Sequence, residues 1–137
     1  MFRYIRTMNS SEHAPESIML PVSDATNFSV GEICCINEVG YLTQILTPGV
    51  PRYLVQEEKV MSDHKAALKC MRIFEGMIFE GDLTDDYFER LVNGQTLELG
   101  SDVNSHKLFV SNVYGKDLEV ISTMNFPYER KIAVTFF

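Results

Sequence analysis

Three histidines and a scatter of carboxylates are the residues through which this chain could do chemistry, and their spacing limits what that chemistry would be. His13, His64 and His106 stand far apart, and none has a second histidine two to four positions away. A zinc site would therefore have to be assembled from distant loops. Asp63 beside His64, and Asp102 near His106, could form acid–base pairs if folding brought them to a nucleophile. No G-x-S-x-G elbow supplies a serine, and no G-x-G-x-x-G or G-x-x-x-x-G-K-[ST] run announces a dinucleotide or phosphate cradle.

The densest acidic cluster is Glu75, Glu80, Asp82, Asp85 and Asp86, but it lacks the alternating ladder that wraps a calcium ion. Cys34 and Cys35 are adjacent, so an extended backbone points them to opposite faces and away from a common metal. Cys70 makes no C-x-x-C pair with either. All three read as small apolar residues of a buried strand, and their odd number shows no disulfide framework. The residue chemistry thus predicts no catalytic group, no cofactor and no metal.

The segments that would position these residues are of β type. Residues 28–36 and 41–46 are rich in aromatic and β-branched types, and Asn37-Glu38-Val39-Gly40 between them has the composition of a hairpin reversal. Thr47-Pro48-Gly49-Val50-Pro51 is a turn cluster, followed by extended Arg52-Tyr53-Leu54-Val55-Gln56. Residues 57–65 read as a polar loop, and residues 68–79 as strand interrupted at Gly76, where a bulge or sharp bend is expected. Thr84 to Val92 is the one helix candidate, with Thr84 as cap, Asp85 and Asp86 in the first turn and Gly94 just beyond the end. Residues 95–99, 108–110, 118–121 and 131–137 complete the strand candidates.

About seven or eight short strands with turns between them predict an all-β fold, a small antiparallel barrel or sandwich with at most one or two short helices. A strand at the very end of the sequence needs a neighbour on its edge or would invite aggregation, and closure of the sheet is the simplest way to provide it.

Residues 1–21 show no period and predict an extended N-terminal arm ahead of a single domain over residues 22–137. The arm's ends are not bland. Phe2, Arg3, Tyr4, Ile5 and Arg6 at the tip, and Ile18, Met19 and Leu20 at its base, are the aromatic, arginine and aliphatic types that anchor interfaces, and they are the expected partner contacts.

With 137 residues and 45% hydrophobic content the chain can bury one sizeable core. A formal net charge of -7 repels a phosphate backbone and argues against nucleic acid as a partner, including the stacking groove of a single-strand binder. No apolar run is long enough to cross a membrane as a helix or to serve as a secretory signal, which predicts synthesis in a reducing cytoplasm and no membrane partner.

The order Phe28-x-x-Gly31-Glu32-Ile33, Gly40-Tyr41, Tyr53-Leu54-Val55, Arg72-Ile73-Phe74, Val92-x-Gly94-x-x-Leu97-x-Leu99, Gly115, Leu118-x-Val120-Ile121 and Ile132-x-Val134-x-Phe136 resembles the tailed-bacteriophage capsid decoration proteins, also called cement or head stabilisation proteins. The resemblance implies a non-enzymatic virion structural protein on the capsid outer surface. It would be a β-barrel module, often a homotrimer, that stabilises the shell by protein–protein interaction with the major capsid protein and with neighbouring copies of itself. It carries over no functional residues.

The alternatives are another protein-binding β module, or a small trimeric β-barrel enzyme acting on nucleotides. In the enzyme Glu32, Asp63, His64, Asp102 and His106 would be the candidates. The trimeric dUTP hydrolases are similar in strand content, but their glycine-rich terminal motif does not appear in the residues up to Phe137.

Overall fold

The computed structural model describes residues 2–8, 15–47, 49–82, 93–94, 96–99, 108–109, 118–122 and 131–136. Among these the protein is all-β, with two antiparallel sheets and no helix. The helix expected over residues 84–92 lies outside the described residues. The strands are β1 (Arg3–Thr7), β2 (Ser17–Pro21), β3 (Ile33–Ile36), β4 (Leu42–Thr43), β5 (Arg52–Val55), β6 (Ala67–Arg72), β7 (Met77–Asp82), β8 (Thr96–Leu99), β9 (Leu108–Phe109), β10 (Leu118–Ser122) and β11 (Lys131–Phe136).

The chain divides into two compact units. Met1–Glu12 with Phe74–Phe137 holds a six-stranded sheet of order β1-β7-β11-β10-β8-β9, and His13–Ile73 holds a five-stranded sheet of order β2-β6-β5-β3-β4.

In the first unit, β11 pairs with β7 on one side and β10 on the other. The terminal strand is thus central rather than an edge. It has the neighbouring strands expected of it, but in a sheet that runs open from β1 to β9 rather than closing on itself. Ile132, Val134 and Phe136 on one face and Ala133 and Thr135 on the other are all buried, which is why this segment reads as strand without polar alternation.

Four rings cross three parts of this unit. Phe79 on β7 meets Tyr4 and Phe136 edge-on at centroid separations of 5.8 and 5.2 Å, and Phe136 meets Phe2 at 5.3 Å. Edge-to-face contacts place the positive rim of one ring on the negative face of the next.

Two stretches of the expected arm are strands in this structure. Arg3–Thr7 pairs with β7 and Ser17–Pro21 with β6, each as the edge of one sheet. A register shift between Tyr4 and Arg6 explains why the first showed no period of two. β2 is mostly exposed, so its sequence needs little polar–apolar alternation.

In the second unit the hairpin forms as expected. β3 pairs with β4 around residues 37–41, where Asn37 Oδ1 accepts from the amides of Val39 and Tyr41 at 3.1 and 2.9 Å and Gly40 takes φ of +90°. Asn37 rigidifies the turn locally, and glycine adopts the left-handed backbone without a Cβ clash. The strand begins only at Ile33. Phe28 instead makes an isolated bridge to Lys59, and residues 29–32 turn between them. The core here is Val22, Phe28, Cys34, Leu42, Val55, Leu68 and Cys70, with Leu20, Ile36 and Tyr53 against it. The break expected at Gly76 is a tight turn, φ +88°, in which the Met77 amide donates to the Phe74 carbonyl at 3.3 Å.

Candidate docking surface

The chemistry-bearing residues of the second unit are engaged in its own architecture. Glu32 is buried just ahead of β3, and its Oε2 accepts from Gln44 Nε2 at 3.0 Å. Burial pushes its carboxyl above the ordinary glutamate value, outweighing the hydrogen bonds from Gln44 and the Ser29 backbone that favour the charged form. Asp63 Oδ2 accepts from the Val60 amide at 3.0 Å while the Asp63 amide donates to the Val60 carbonyl at 2.9 Å, so this carboxylate closes its own turn. His64 beside it is exposed. Glu32 and Asp63 thus serve separate local contacts rather than one acid–base group. Asp102, His106, His13, Asp85 and Asp86 lie outside the described residues.

Cys34, Cys35 and Cys70 are buried, as read from the sequence. Cys35 Sγ donates to the Ile45 carbonyl at 3.1 Å. Burial pushes the Cys34 thiol far up, with Glu32, Cys70 and Cys35 adding to it, and pushes Cys70 up to about 12, with Glu57 adding. Neither of these two thiols supplies a thiolate at neutral pH. Among the described residues no group of three or more His, Cys, Asp or Glu is placed to hold a metal ion, and no helix is long and apolar enough to cross a membrane.

A raised carboxyl pKa has a testable sign. The folded state holds the Glu32 proton more tightly than the unfolded chain does. Its contribution to stability is therefore fullest at acid pH and declines as pH rises from the unfolded value through the folded one. The melting temperature of Glu32→Gln minus that of the wild type is expected to increase from acid to neutral pH. A difference that shrinks over that interval would contradict the burial account.

The residue that the sequence hides is Lys59. It sits in a segment that reads as polar loop, yet it is fully buried, and its Nζ donates to the carbonyls of Thr26 at 2.8 Å, Asp24 at 3.0 Å and Val60 at 3.5 Å. Its own amide and carbonyl bridge Phe28 at 2.9 and 2.8 Å. A buried ammonium is tolerable only where acceptors replace its water, and three carbonyls from two loops do so here.

Asn27 continues the tie. Its carbonyl accepts from Gln44 Nε2 at 2.8 Å and its Oδ1 from the Met61 amide at 2.6 Å. Three loops are thereby held together, and apolar residues on them or close to them in sequence are exposed: Ile45 at 74%, Met61 at 57%, Val30 at 55% and Val60 at 42%. Single exposed apolar residues are ordinary; these four stand out because each lies on, or within three residues of, a loop that Asn27 or Lys59 ties. No period or motif marks these residues, because they are scattered over residues 30–61 and their loops are joined only through the Asn27 and Lys59 contacts.

The residues expected at the arm divide sharply. Phe2 is buried against Phe136, Tyr4 packs on Phe79 with its hydroxyl 2.8 Å from Thr7 Oγ1, and Leu20 packs on the second unit's core. Arg3 pairs with Glu80 directly across the β1–β7 ladder. Ile5, Arg6, Ile18 and Met19 remain exposed, Met19 most among the apolar ones at 60%.

Comparison of the chain with protein-family models, with curated proteins and with solved structures finds no match. The reading of function accordingly rests on the residues and their geometry.

Proposed function

We propose that this chain is a non-enzymatic virion structural protein that decorates a phage capsid and stabilises it by binding the shell of the major capsid protein. The observation that carries the reading is the exposure of Val30, Ile45, Val60 and Met61 on or beside loops that Asn27 and Lys59 tie together. A surface fixed before it meets its partner loses little conformational entropy on docking, which suits a protein whose work is adhesion. The engagement of Glu32 and Asp63 in local turns and contacts adds support, since it leaves these two carboxylates to the fold. The resemblance of its order of glycines and strands to that of capsid decoration proteins supports this choice of partner class.

Co-expression with the major capsid protein of the same genome, followed by sedimentation of the assembled shells, tests the proposal. The chain is expected to travel with the shells, and Ile45→Glu together with Met61→Glu to leave it in the supernatant while still folded. A wild-type chain that never sediments with shells, or a melting temperature raised strongly by one nucleotide, would overturn it.

A further inference from the structure

The four edges of the two described sheets are not alike. β1 carries Arg3 and Arg6 and a register shift, while β4 and β9 are two residues each. Charge, proline, irregular register and shortness are among the devices that prevent edge-to-edge pairing. β2 has only a proline, Pro21, at its last position. Ser17-Ile18-Met19-Leu20-Pro21 is five residues long, uncharged, unshifted in register against β6 and mostly exposed.

The ladder on its inner side determines which backbone groups face outward. The Val22 amide donates to the Ala66 carbonyl at 3.0 Å, so Val22, Leu20 and Ile18 turn their peptide groups toward β6. The far side of β6 agrees. Ile73 donates to Arg52 and Gln56 to Lys69, so the odd-numbered residues of β6 face β5 and the even-numbered ones face β2. The N–H and C=O of Ser17 and Met19, and the C=O of Pro21, therefore point to the open edge.

We infer that β2 pairs with the β2 of a second copy of this chain, antiparallel about a twofold axis at Met19, joining two five-stranded sheets edge to edge. In that register Met19 faces Met19 of the second copy and exchanges two hydrogen bonds with it, Ser17 donates to the Pro21 carbonyl of the other strand on each side, and Ile18 lies opposite Leu20. The proline falls at the end of the ladder, where its missing N–H interrupts nothing further in. The strand is thus self-complementary in hydrogen bonding and in apolar pairing, which favours a second copy over a foreign peptide. This inference goes beyond shell binding and does not use the loop surface, so either can fail while the other stands.

Sedimentation velocity and amide hydrogen exchange on the full chain over a range of concentrations test it. The wild type is expected to shift from one to two chain masses as concentration rises, with the Ser17 and Met19 amides gaining protection in step. Met19→Pro removes only an outward N–H, a substitution that an edge strand tolerates, and Met19→Lys sets two ammonium groups face to face across the axis. Each is expected to weaken association about tenfold or more while leaving the β-sheet circular dichroism signal intact. A wild type that stays monomeric while taking up an extended peptide, a trimeric mass, or a dimer indifferent to both substitutions would overturn the inference.

Discussion

Phe79→Ala is expected to destabilise the protein by about 4 kcal/mol. Phe79 is fully buried on β7 and is the only one of the four linked rings with edge-on contacts to both Tyr4 and Phe136, at 5.8 and 5.2 Å. Removing it forfeits the transfer energy of a buried ring, leaves a cavity between β1 and β11, and breaks two aromatic contacts of about 0.5–1.5 kcal/mol each. At roughly 0.3 kcal/mol per degree for a chain of this length, the melting temperature should fall by about 13 °C. Phe79→Leu keeps much of the apolar volume and should lose less than half as much. Val39→Ala, at a residue 75% exposed in the hairpin turn, is the control and should change stability by less than about 0.5 kcal/mol. A fall after Phe79→Ala no larger than that control would refute the packing account.

The second large effect belongs to Lys59→Met. Methionine nearly fills the space, so no cavity opens and the desolvation of an ammonium is relieved. Against this, the carbonyls of Asp24, Thr26 and Val60 lose their donor. Charge-assisted hydrogen bonds contribute about 1.5–3 kcal/mol each, and the two shorter ones alone exceed what relief of burial returns. A net loss of about 2–3 kcal/mol follows, near 8 °C in melting temperature. The loss should be local in origin, with faster amide exchange at Phe28 and at position 59, whose bridge the ammonium holds in place. A Lys59→Met variant as stable as the wild type would mean that water, not the lysine, satisfies these carbonyls.

The contrast between the two residues explains how far the sequence carries. Phe79 and the terminal strand were legible because a run of β-branched and aromatic residues can hardly be anything but buried strand. The hairpin was legible because Asn37 and Gly40 announce its reversal through side-chain acceptance and positive φ, which are local effects. β1 was not legible, because its register shift breaks the period of two on which strand recognition depends.

Lys59 was not legible for a deeper reason. Its partners are backbone carbonyls of residues 24, 26 and 60, and backbone groups leave no trace in residue type. The same holds for the exposed Val30, Ile45, Val60 and Met61, which are unremarkable in sequence because the Asn27 and Lys59 bonds that join their loops go largely to backbone groups. Phe2 illustrates the converse. An aromatic at the chain terminus suggested a free anchor, but Phe136 provides a ring for it within the same unit, and burial at home removes it from any partner's reach.

The second unit exposes apolar side chains on loops tied through Asn27 and Lys59, and adhesion to a shell is the proposal that most needs testing. Electron cryomicroscopy of shells co-expressed with this chain addresses it directly. The account predicts extra density at regular positions on the outer surface, with the loops of Val30, Ile45 and Met61 facing the shell. Bare shells beside abundant folded chain would contradict it.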